Sequence, residues 1–188
     1  MSTLEKQDTL SDEEMTPQDP VSPRLHPTQE IVHAMQEGNL RSDAILQSLA
    51  YYAVEGDWQG VWILADAMKR EISLLFDSQG LIWVDVGTPG MVRLSPPMGS
   101  RLPLRLWVHS HPWDAYWSGT DRRTLATVSG VLEKAFVLGH DHMVRAICKE
   151  QPSDDSSDRR LAIEGPLMQW TDEDAVTYES LRQNQEGL

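Results

Sequence analysis

The chain has 188 residues, with 29 acidic against 16 basic side chains and a formal net charge of −13. That length suits one domain with tails, and a composition of 40% hydrophobic and 24% charged residues suits a globular chain with a real core. The acidity argues against a phosphate-binding face for nucleic acid and against adhesion to an anionic membrane; one cysteine, Cys148, excludes an intramolecular disulfide and points to a reducing, cytoplasmic setting.

The charge is concentrated at the ends: residues 1–27 carry −4, residues 28–150 carry −3 and residues 151–188 carry −6. Residues 1–27 are polar and acidic, with Pro17, Pro20, Pro23 and Pro27, and read as a disordered tail. No basic, apolar leader and no apolar run of about 18 residues is visible, so neither a secretory signal nor a membrane span is expected. Ile31, Ala34 and Met35, then Ile45, Leu49 and Tyr52, have helical spacing, with a break near Gly38 and a helix start at Ser42-Asp43. Trp58, Val61, Trp62, Ala65 and Met68 fall on one helical face, although the β-friendly VWIL run competes as a strand. EISLLFD and LIWVDVG flank Ser78-Gln79-Gly80 and predict a β-hairpin. MVRLSPP and LRLWVHSH read as two further strands, and residues 121–134 as an amphipathic helix through Leu125, Val128 and Leu132. AFVLG and MVRAIC flank His140-Asp141-His142, a second hairpin. Residues 151–159 read as a polar linker, and Thr171-Asp-Glu-Asp as the capped start of a last helix. The order predicts an α/β (α+β) domain over 28–150, a central β-sheet with helices packed on it, followed by a linker and C-terminal helix over 151–188.

The chemistry is concentrated where LRLWV runs into His109-Ser110-His111-Pro112. Residues i and i+2 of a strand share a side, so His109 and His111 present two imidazoles to one point, and Pro112 ends the strand after them. The loop that follows brings Asp121 into the first turn of the next helix. Two neutral imidazoles and a carboxylate are a ligand set for catalytic zinc, one ion per chain, with the fourth position left to water. Ser118-Gly-Thr-Asp121 has a purely structural reading as well, as an N-capping box. His140 and His142 read as a surface turn, and Cys148 as a packed residue. Core filling is the default expectation for the tryptophans, with walling of a substrate groove the alternative for Trp113 and Trp117 in the site loop.

His-Ser-His-Pro followed by Ser-x-x-Asp resembles the JAMM (MPN-plus, or JAB) metalloproteases, in their compact prokaryotic form, over roughly residues 40–150. The resemblance implies a cytidine-deaminase-like JAB/MPN fold with a mixed sheet, zinc held by His109, His111 and Asp121, and Ser118 as a donor to the oxyanion. It also implies an upstream glutamate as general base. Glu71, before ISLLF, is favoured for that role; Glu55 in Val-Glu-Gly-Asp is the alternative. By the same resemblance the activity is isopeptide or peptide cleavage after the tail of a ubiquitin-like protein. A catalytically weak scaffold that binds a ubiquitin-like partner, and a JAMM-type peptidase or small-molecule amidase with another substrate, are the competing readings.

Overall fold

In the computed structural model, which describes residues 19–90, 94, 96–149 and 159–186, the chain forms a mixed α/β domain with helices flanking a central mixed sheet. Three helices come first: α1 (Thr28–Gln36), α2 (Asp43–Val54) and α3 (Trp58–Met68). The helix-or-strand ambiguity over 58–69 resolves as helix because the Asp57 carboxylate accepts from the Gly60 N–H at 2.9 Å and caps the first turn. Strands β1 (Ile72–Phe76), β2 (Ile82–Val86) and β3 (Leu106–Ser110) follow, then α4 (Gly119–Val128), β4 (Lys134–Leu138), β5 (His142–Cys148), β6 (Trp170–Asp172), β7 (Val176–Thr177) and α5 (Tyr178–Glu186).

The sheet runs β2-β1-β3-β4-β5-β6, with β7 also pairing with β5. Every strand pairing is antiparallel except that of β3 with β4, and a parallel pair needs a crossover, here carried by α4. Side-chain alternation divides the core in two. Leu74 and Val108 face α1–α3, where Ile45, Leu49 and Val61 are fully buried. Leu75 and Trp107 face the α4 side, with Leu104, Leu125 and Trp170. His109 follows Trp107 by two residues and lies on that same α4 side.

Several expectations are corrected. The stretch expected to be structureless as far as Pro27 is anchored from its first described residues: the Val21 N–H donates to the Ile82 carbonyl at 2.7 Å, along the edge of β2, and the His26 N–H donates to Ser48 Oγ at 3.2 Å. Residues 1–18 lie outside the described residues, as do 151–158 of the expected linker. Of the expected strand MVRLSPP, residues 91–93 and 95 also lie outside them, and its described positions form no strand. The helix expected over 121–134 starts earlier and ends at Val128. Gly130, at φ 88°, turns the chain so that Leu132 bridges Leu104 instead. No helix starts at Thr171: Trp170 is fully buried and, with Thr171, pairs with β5, so the capping pattern yields to burial of an aromatic and a β-branched residue, and the helix starts at Tyr178.

The β1–β2 turn shows how one side chain fixes the route toward β3. Asp77 is fully buried; its Oδ1 accepts the N–H groups of Gln79 and Leu81 at 2.9 Å each, and its Oδ2 accepts that of Arg101 at 3.0 Å. Asp77→Ala takes the shared acceptor from three backbone donors in partly buried hydrogen bonds and should lower stability by about 1–3 kcal/mol, read as a lower urea midpoint at unchanged slope.

Candidate metal centre

The candidate site forms where the end of β3 meets the start of α4. His109 is the fourth residue of β3 and His111 stands just past its end, so both imidazoles emerge on the α4 side. Both are buried, as is Asp121. His109 Nε2 lies 3.0 Å from Asp121 Oδ1, and His111 Nε2 lies 3.4 Å from Asp121 Oδ2. One potential ligand atom from each residue falls within 4.8 Å of the others. A tetrahedral ion with ligands at about 2.0–2.1 Å holds them about 3.4 Å apart, so these separations suit one small cation.

The polar atoms give a second, independent fit. His109 Nδ1 and Nε2 and His111 Nδ1 are buried without a hydrogen-bond partner among the described residues. The 3.0 Å approach of His109 Nε2 to Asp121 therefore lacks hydrogen-bond alignment: the ring nitrogen aims beside the carboxylate oxygen. Burial holds the His109 imidazole below its ordinary pKa, which favours the neutral form that ligation requires. Burial alone would push the Asp121 carboxyl up. The two imidazoles and the contact with Ser118 outweigh it and keep the carboxylate ionised, well below the usual range. This buried His-His-Asp group can hold a metal ion.

Neighbouring elements fix each ring. Trp107 stacks on His109 with centroids 4.3 Å apart, and its Nε1–H donates to Ser73 Oγ at 2.9 Å. From α3, the Trp62 Nε1–H donates to the His111 carbonyl at 2.9 Å, and Tyr116 meets the His111 ring edge-on at 4.9 Å. Ser118 is the N-cap of α4. Its Oγ accepts the Asp121 N–H at 3.2 Å, while Asp121 Oδ2 accepts the Ser118 N–H at 2.8 Å. The capping box and the metal-ligand reading thus hold together, on the same carboxylate.

An open cavity of about 370 Å³ lies over the group, lined by Glu71, His111, Trp113, Tyr116, Ser118 and Asp121 among others. Glu71 is buried immediately before β1, its N–H bonded to the Thr88 carbonyl and its own carbonyl to the Gly87 N–H. Glu55, the alternative, is exposed at the end of α2 and lines a different groove, beside α3 and α5. The structure therefore brings Glu71 to the cavity and leaves Glu55 away from it. The two loop tryptophans also separate: Trp113 is 79% exposed at the cavity edge, whereas Trp117 is buried, with its Nε1–H on Asp172 at 3.2 Å, and is not part of this cavity's lining. The expected surface turn at His140 and His142 is a tie point. The His140 N–H donates to the Trp113 carbonyl at 2.7 Å, and His142 pairs with Asp114 at 3.2 Å. Trp62, Trp107 and Tyr116 were not singled out as site residues from sequence; Trp107 was within reach, because a residue two before His109 on a strand must share its side.

Comparison with protein-family models, with curated proteins and with solved structures gives no match for this chain.

The loop over the site packs on Gly139 so closely that a Cβ there would stand 2.5 Å from the Ala115 nitrogen and 3.1 Å from its Cβ. Gly139→Ala should displace the loop that leads into Asp121. The expected result is about 1–3 kcal/mol lost in stability and about tenfold weaker metal binding, measured by denaturation and by competition with a chromophoric chelator.

Proposed function

We propose that the protein is a zinc-dependent amide hydrolase in which His109, His111 and Asp121 hold the ion and Glu71 is the general base. The observation that carries this reading is that a Glu remote in sequence lines the same cavity as His111 and Asp121 of the His-His-Asp group. Zinc bound there would supply Lewis acidity, lowering the pKa of water toward neutrality and polarising the carbonyl under attack. Glu71 takes the proton from the attacking water and delivers it to the leaving amine. Ser118 stands at the cavity with its oxygen accepting the Asp121 N–H, and its hydroxyl proton remains to be donated to the developing oxyanion. Tyr116 and Trp113 flank the approach and give an extended substrate aromatic surface to lie on.

The resemblance of His109-Ser-His-Pro and Ser118-x-x-Asp to the JAMM metalloproteases supplies the substrate class: an isopeptide or peptide bond after the tail of a ubiquitin-like protein. The test uses the zinc-loaded chain on fusions bearing such tails and on generic peptides. Glu71→Gln is expected to keep the zinc and lose at least about 100-fold in cleavage rate. His109→Ala is expected to lose both. Unchanged cleavage in either variant overturns the assignment, and zinc retention with no turnover by the native chain favours the scaffold reading.

A further inference from the structure

Beyond His111 lies a second cavity of about 360 Å³ to which the reading above gives no role. It meets the first along His111, Pro112 and Trp113, which line both. Trp62 gives it an apolar wall, and Asp66, Lys69 and Arg70 supply its charge. Lys69 ends α3 in the left-handed region, at φ 55°, and folds its ammonium onto Asp66 at 2.9 Å, so these two charges compensate each other. The Arg70 guanidinium has neither an ion pair nor a side-chain hydrogen bond among the described residues. On its other side Arg70 borders a groove shared with Arg41, but that arginine is paired with Asp85 at 2.8 Å. Among the described residues the second cavity therefore keeps one cation without an acidic partner, in a chain whose net charge is −13. A half-buried guanidinium beside apolar walls is less screened than one in open water, and its planar fork matches a carboxylate.

We propose that this cavity is a specificity subsite in which Arg70 reads a carboxylate carried within one or two residues of the scissile amide. The inference rests on the amide-hydrolase reading. Glu71 lines the first cavity and its chain neighbour Arg70 the second, so a peptide crossing the ridge of His111, Pro112 and Trp113 engages both. Each extended residue spans about 3.3–3.6 Å, which sets the one-to-two-residue limit. The α-carboxylate of a C-terminal residue and the side chain of an Asp or Glu offer Arg70 the same chemistry.

The test is made on the zinc-free full chain, so that no carboxylate is drawn to the metal. Three probes are titrated while the indole N–H signals of Trp62 and Trp113 are followed by NMR: N-acetyl-Gly-Leu, its C-terminal amide, and N-acetyl-Gly-Glu-amide. At least one acidic probe is expected to bind about tenfold more tightly than the neutral amide. Arg70→Ala should erase that preference, and Arg70→Lys should keep part of it. Preference for the first probe identifies an α-carboxylate, and preference for the third a side-chain carboxylate. The proposal is overturned if no probe binds up to about 10 mM, or if Arg70→Ala retains the preference. Hydrolysis by the zinc-loaded chain without any carboxylate preference overturns the subsite and leaves the hydrolase reading standing; the binding preference without hydrolysis does the reverse.

Discussion

The Asp121 carboxylate does two things at once, and the arrangement around it follows from both. One oxygen takes the backbone N–H of Ser118 and closes the first turn of α4, and the pair of oxygens faces the Nε2 atoms of His109 and His111. A buried carboxylate is costly unless its charge is met, and here it is met by an N-terminal backbone donor and two imidazoles. The start of α4 is thereby tied to the end of β3. The connecting loop must then close over a short distance, which it does against Gly139 and the His140 N–H at the β4–β5 turn.

The sheet puts this bracket at an opening. The β3–β4 pair is the parallel one, so the chain must leave the sheet after β3, and the departing loop uncovers a crevice at that end. The antiparallel partner β1 begins beside the same end, since Ser73 lies opposite His109, and this brings Glu71 to the crevice from the other direction. The left-handed turn at Lys69 that ends α3 delivers Arg70 and Glu71 to two adjoining cavities. Chain order alone separates these residues by dozens of positions; strand pairing removes the separation.

Much of this was legible from local pattern. The period-two relation of His109 and His111, the proline stop and the capping spacing of Ser118 to Asp121 are all short-range signals, as are the two hairpins, with Ser78–Gly80 in the first turn and His140-Asp141 in the second, where His142 already opens β5. Tertiary pairing decided the rest. Thr171 lies inside a strand because Trp170 is buried against β5, and residues 19–27 are held by hydrogen bonds to distant segments that their own composition does not announce. Which of Glu71 and Glu55 reaches the cavity depends on strand pairing, and Trp62 reaches the His111 carbonyl from a helix 49 residues upstream. Arg70 was not legible as a site residue, because its isolation depends on Arg41 finding the remote Asp85 as well as on Lys69 folding onto the nearby Asp66.

Two imidazoles and one carboxylate beside an open cavity form a group that can hold a metal ion. X-ray absorption at the zinc edge, on the full chain loaded with one equivalent of zinc, tests it most directly. A single four-coordinate zinc is expected, with two imidazole nitrogens, the remaining ligands oxygen and no sulfur, and that signature should collapse in Asp121→Ala. Zinc that fails to bind stoichiometrically, or a shell containing sulfur or three or more imidazoles, would contradict it.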